Sequence, residues 1–173
     1  MTTTPTRGPA PRSSGALSDP PAAQREPRIL RSSHTLGWDG IRVRTFDAPA
    51  DIDEWVVPPD PDPSLLLITQ GGMLMESRPR HGPWQRFVLQ QGDLLLRANR
   101  PCPYEVRWRG LAEPIRSVEI HLDRHLVASV AEEVTGRDPA RLSLLSPTGF
   151  RDPLLSELVL ALGRELEDEA PAE

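Results

Sequence analysis

The chain has 173 residues, enough for one domain with a proper core, and a formal net charge of −5 with all 20 basic residues arginine. Arg7, Arg12, Arg25, Arg28 and Arg31 against Asp19 and Glu26 make residues 1–33 basic by +3, which leaves −8 on residues 34–173, and so acidic a body lacks the clustered cations that autonomous nucleic-acid binding requires. Cys102, the one cysteine, excludes an intramolecular disulfide and a cysteine-based zinc cluster, and no apolar run approaches the ~20 residues of a membrane span or forms a signal-peptide core, so the cytoplasm is the expected location.

Residues 1–27 are rich in Pro, Ser, Thr, Ala and Gly without apolar periodicity, and are predicted to be a disordered tail. Short apolar segments then recur at 28–30, 41–46, 55–57, 65–69, 73–76, 85–89, 94–97, 104–108 and 115–122, the spacing of antiparallel strands in a sandwich or barrel over residues 28–122. Gly71-Gly72 and His81-Gly82 read as turns that make the strands around them a three-stranded meander. The proline-dense 58–63 segment denies amide donors to a central strand and reads as a stiff loop. Gly92-Asp93 supplies another turn, and residues 99–103 a proline-punctuated connection.

After Leu122 the apolar period moves toward 3.6. Asp123 is placed to cap a helix through Val134, with Leu126, Val127, Val130 and Val134 on one face and Gly136 as its stop. Asp152 and Pro153 start a second helix whose stripe is Leu155, Leu158, Leu162 and Leu166. Covering the barrel is the commoner role of such a stripe in a compact domain, but Leu154 and Leu160 lie off it, so the apolar surface is wider than one contact needs, and a second subunit is expected to bury the remainder. The predicted architecture is mainly β, an antiparallel barrel followed by two C-terminal α-helices over residues 123–169.

No catalytic or metal motif stands out. The histidines are His34, His81, His121 and His125, and the apolar strands SLLLITQ and MLMES carry none. Cys102 sits between two prolines with no predicted basic neighbour, and no G-x-S-x-G, phosphate-loop or dinucleotide motif occurs. Alternation puts Tyr104, Val106 and Trp108 on one face of their strand. In IRSVEIHL, Ser117, Glu119 and His121 alternate with Val118, Ile120 and Leu122, giving a polar face that meets solvent or lines a polar cavity. The first is the commoner outcome for an antiparallel sheet, and Arg44 in IRVRTF poses the same choice.

The segment LQQGDLLLRANRPCPYEVRW resembles the second motif of the cupin family, with Tyr104 near the position where metal-binding members carry a histidine. More broadly, SSHTLGWDGIRVRTF, this segment, IRSVEIHL leading into DRHLVASVAEEVTGRDPARLSLL, and GFRDPLLSELVLALGRELE are similar, in that order, to the N-terminal effector-binding and dimerisation domain of AraC-type transcription regulators. The resemblance covers roughly residues 33–169 and implies a cupin-like (jelly-roll) barrel enclosing a small-molecule effector, without metal or other cofactor. Arg44, Tyr104, Trp108, Ser117 and Glu119 are the candidate lining residues. It also implies helices that pair two subunits through Leu155, Leu158, Leu162 and Leu166, as a homodimer or a mixed dimer with a related regulator. Those regulators continue into helix-turn-helix motifs, and this sequence holds no basic recognition helix. The expectation is therefore a non-enzymatic sensing domain with no DNA-binding domain of its own: a truncated regulator, a split-gene product or a stand-alone subunit. The alternative is a small cupin enzyme, an isomerase or dioxygenase, which requires a metal or an inward acid-base pair, with Glu119 and His121 the nearby candidates.

Overall fold

A computed structural model describes residues 26–98, 102–139 and 143–169. The expected tail thus lies outside the described residues up to residue 25, as does the 99–101 part of the proline-punctuated connection. In chain order the elements are β1 (Arg28–Ser32), β2 (Ile41–Ala48), β3 (Asp51–Val57), β4 (Ser64–Pro79), β5 (Gln85–Gln90), β6 (Leu94–Arg97), β7 (Tyr104–Leu122), α1 (Arg124–Thr135), β8 (Thr148–Phe150) and α2 (Pro153–Glu169). The molecule is mainly antiparallel β with two helices, in the jelly-roll manner the sequence predicts.

Two long strands organise it. The first half of β4 pairs with the second half of β7, giving the order β1-β2-β7-β4-β6-β8. Beyond a bend, the second half of β4 pairs with β5 and the first half of β7 with β3. Two sheets therefore share the same pair of bent strands, and the space between them is the barrel interior. Ile52, Ile68, Met73, Met75, Leu89, Leu95, Val106, Trp108 and Ile115 are packed there.

The expected meander is not formed. Gly71-Gly72 is no hairpin turn; 65–69 and 73–76 are one continuous strand, as are 104–108 and 115–122. Gly71 has φ +76°, and a Cβ there would fall 2.4 Å from the Pro114 carbonyl oxygen and 2.5 Å from that of Ala112. The glycine allows a bulge where β4 crosses β7, with register shifts between Ile68 and Met73. The bulge has a consequence for side-chain direction. Ile68 faces the interior, as do Met73 and Met75, so β4 changes phase by one residue across the bend, and β7 does the same between Trp108 and Ile115. The other glycine turns hold: His81 (φ 65°) lies between β4 and β5, and Gly92 (φ 88°) between β5 and β6.

The outer face of the larger sheet is apolar, and α2 covers it. Val43, Leu65, Leu67, Leu94, Val118 and Ile120 meet Val159 and Leu166 there. Each such side chain contributes about 1.5–3 kcal/mol on burial. Gly163 lets the helix approach: a Cβ at this position would lie 3.2 Å from Val118 Cγ2. Asp152 caps α2 as expected, its Oδ1 accepting from Leu155 N at 3.0 Å. This packing corrects the expected dimer stripe. Leu166 is fully buried against its own barrel, with Leu155 and Leu162 packed beside it, because the buried line runs Leu155, Val159, Gly163, Leu166. Of the four residues only Leu158 stays largely exposed, at 52%, next to Leu154 at 70%.

Asp123 caps α1, accepting from His125 N at 2.6 Å and Leu126 N at 3.3 Å, and Gly136 ends it in the left-handed conformation. None of its residues is buried; Leu126, Val130 and Val134 remain exposed. β8, which periodicity did not show, adds three residues to the β6 edge, so the 123–169 segment is not wholly helical.

Candidate functional site

The polar face of IRSVEIHL turns inward. Ser117, Glu119 and His121 are 8%, 6% and 6% exposed, and the commoner outcome expected from pattern alone, a solvent-facing polar strand, is corrected. The cause is α2: it takes the apolar Val118 and Ile120 face, which leaves the polar side chains to the barrel interior.

Strand register then arranges the interior in rows across β2, β7, β4 and β6. The row nearest the barrel mouth runs Arg42, His121, Ser64, Arg97; the next runs Arg44, Glu119, Leu66, Leu95; the third runs Phe46, Ser117, Ile68. Polarity falls row by row with depth. Above the polar rows lies a cavity of about 370 Å³, bounded also by Trp55, Tyr104 and the 58–62 loop. Beneath it, a smaller space of about 80 Å³ is lined by Leu66, Ile68, Met73, Met75, Leu89, Leu95, Trp108 and Ser117. Arg97 and Glu119 border both.

Glu119 is the electrostatic centre. Its Oε2 accepts from Arg44 Nη2 at 3.1 Å, and its Oε1 lies 3.5 Å from Arg97 Nη1. His121 Nε2 stands 3.1 Å from the same Oε2 and 2.6 Å from Arg44 Nη2, while Nδ1 is 3.1 Å from Asp60 Oδ2. A guanidinium only donates, so a neutral imidazole with its proton on Nδ1 accepts from Arg44, whereas a charged one donates Nε2–H to Glu119. Burial alone would raise the Glu119 pKa; the hydrogen bond from His121 and the charges of Arg97, His121 and Arg44 overcome it and hold the group at about 2. Aromatic faces complete the ring: the Arg97 guanidinium carbon lies 5.6 Å from the Tyr104 centroid, and that of Arg44 lies 5.2 Å from Phe46.

All five residues singled out from the sequence border this interior: Arg44, Tyr104 and Glu119 the upper cavity, Trp108, Ser117 and Glu119 the lower. Trp108 stacks edge-on against Trp55, ring centroids 6.2 Å apart, and donates from Nε1 to the Pro49 carbonyl at 2.9 Å. The sequence reading missed Arg97, Asp60 and Phe46. Two of these had a signal: with Glu119 inward, antiparallel pairing brings Phe46 in two residues after Arg44, and Leu95 brings Arg97 in along β6. Asp60 had none, since the 58–63 loop carries no periodicity.

The residues present do not form the metal centre that cupins often hold. Both Glu119 oxygens face guanidinium groups, which would repel a cation, and among the described residues no group of three His, Cys, Asp or Glu side chains is gathered to hold one. Cys102 is free and exposed and lines neither cavity. Among the described residues no helix is long and apolar enough to cross a membrane.

No model of a known protein family matches the chain, and no curated protein matches it. Solved structures similar to it include a putative mannose-6-phosphate isomerase from Ralstonia eutropha (18% identity, covering 65% of this chain and 99% of that one, TM-score 0.38). Also similar are the Cnp3 cupin domain of Schizosaccharomyces pombe (13%, 60% and 64%, TM-score 0.42) and a cupin-2 domain protein from Shewanella frigidimarina (10%, 58% and 82%, TM-score 0.37). At this degree of overlap the likeness carries no functional argument.

Proposed function

We propose that the chain is a non-enzymatic small-molecule-binding module of the AraC-type sensor kind, with the barrel cavity as its binding site. The observation that carries this reading is the inward-facing polar row set over an apolar floor. A barrel that needed only stability would fill this space with apolar side chains, since a buried ion cluster rarely outcompetes them. A concave, mostly apolar chamber with a few convergent polar groups is the usual form of a ligand site.

The Glu119–His121 contact at 3.1 Å favours a second reading, acid-base catalysis. Against it, a carboxylate held at about 2 by neighbouring cations is a weak general base. Binding is tested by following melting temperature and tryptophan fluorescence against a panel of neutral and charged small molecules, with Ser117→Phe, which fills the lower space, as the control. Ligands should stabilise the natural chain and not the variant; no response in either, or an equal response in both, overturns the reading. Turnover of a panel compound that disappears in Glu119→Gln would favour the enzyme instead.

The same reading pairs two copies through the exposed α2 row of Leu154, Leu158 and Ala161, in place of the buried stripe. Light scattering should give twice the chain mass, reverting to one in Leu158→Glu. A natural chain that stays monomeric removes the pairing. A mixed dimer with a related regulator is the alternative partner, and co-purification with such a regulator would support it.

A further inference from the structure

The graded rows specify a chemical class. Arg44 and Arg97 both turn to Glu119, so two guanidinium groups share one carboxylate, and with the His121 imidazole neutral the ring keeps one positive charge in excess. Arg42 does not add to it, having Asp60 at 3.6 Å. The donors are not used up: Arg44 Nε is buried without a hydrogen-bond partner among the described residues, and Arg97 reaches Glu119 only at the outer limit of a hydrogen bond. Glu26 and Asp62 add negative charge to the upper cavity, but neither touches the ring around Glu119 or borders the lower space, and Glu26 is exposed. Immediately beneath the two arginines the lining becomes Leu66, Leu95, Ile68 and Met73.

We propose that the ligand is a small monocarboxylic acid with an apolar body, its carboxylate held between Arg44 and Arg97 and its apolar end in the lower space. This rests on the barrel being a ligand-binding module. A monoanion cancels the single excess charge, and a planar carboxylate suits guanidinium forks better than a hydroxyl does. Below the Arg97–Glu119 border the lower space offers a polyol only the Ser117 hydroxyl among otherwise apolar walls, whereas an alkyl or aryl body fills it.

The test compares hexanoate, hexanamide and xylitol by isothermal titration on the full chain. Hexanoate should bind at least about tenfold more tightly than hexanamide, since a charge-assisted pair replaces a neutral hydrogen bond. Arg97→Gln should bring the two within about threefold of each other, while Arg97→Lys keeps part of the preference. Arg44→Gln serves as a second variant should Arg97→Gln melt before the titration. Equal binding of acid and amide, or binding of xylitol alone, overturns the carboxylate assignment and leaves the binding-module reading standing. If none of the three binds, and the wider panel leaves melting and fluorescence unchanged, both fall.

Discussion

The barrel carries two clusters of arginine and glutamate, one on the outside of the smaller sheet on β4, β5 and β7 and one inside the larger on β2, β6 and β7, and the same chemistry serves different ends in them. Outside, Glu76 accepts from Arg107 Nε at 2.6 Å and Arg86 Nη2 at 2.9 Å, Arg78 pairs with Glu105, and Trp84 lies between the guanidinium groups of Arg78 and Arg107 at 4.3 and 4.2 Å. Each charge there has water as an alternative. Inside, Glu119 has Arg44, Arg97 and His121 among the described residues to replace the water it has lost. The outer cluster ties cross-strand neighbours together; the inner one holds an ion in a space that packing alone would have filled with leucine.

Removing the central carboxylate of each cluster separates them most sharply. Glu119→Ala leaves two guanidinium groups facing each other with nothing between them, and should cost about 3 kcal/mol, the low end for a broken buried pair because the cavity admits water. Urea unfolding measures this directly; a loss below about 1 kcal/mol would place Glu119 with the surface pairs. Acidification makes the same cut without mutation. The folded-state pKa of Glu119, about 2, is below the ordinary 4.5, so its stabilising contribution is complete above pH 4.5 and is lost progressively as pH falls to about 2. Over that window the natural chain should lose on the order of 3 kcal/mol that Glu119→Gln does not lose, as read from melts at successive pH values.

Most of the strand plan was legible in the sequence because alternation and turn residues are local. Three things were not. Gly71-Gly72 reads as a hairpin turn in isolation, and only the close approach of the Pro114 and Ala112 carbonyls shows it to be a bulge in a continuous strand. The Ser117, Glu119, His121 face could not be assigned because a two-residue period gives the faces of a strand without saying which is covered, and α2, some forty residues downstream, decides it. The α2 stripe was misplaced for a similar reason. Leucine spacing alone favours Leu158 and Leu162, but the helix seats on the small residue Gly163, which turns Val159 and Leu166 inward and Leu158 out.

Within the outer cluster, the aromatic ring should matter more than either charge. Trp84→Ala removes two cation–π contacts and the apolar surface that keeps both guanidinium groups over the strand, and should cost about 1–2 kcal/mol in urea unfolding. Trp84→Phe keeps a ring in place and should recover roughly half of that. A value for Trp84→Ala equal to that of Glu119→Ala would mean that the surface stack contributes as much as the buried carboxylate and would remove the contrast between the two clusters.

The smallest effect is expected at Glu76. Arg107, Arg86 and their hydrogen bonds hold its carboxyl below the ordinary range, yet exposure lets water and salt take over when either partner is lost. Glu76→Ala should therefore cost less than either Glu119→Ala or Trp84→Ala at low salt, and 0.5 M sodium chloride, roughly a 4 Å screening length, should erase most of the difference from the natural chain. Glu119→Ala should lose the same stability at both salt concentrations, because the charges it disturbs are shielded by the barrel wall and not by solvent ions. A salt-dependent cost at Glu119 would show the interior to be wetter than the row-by-row fall in polarity implies, and would remove the reason for expecting an apolar ligand body there.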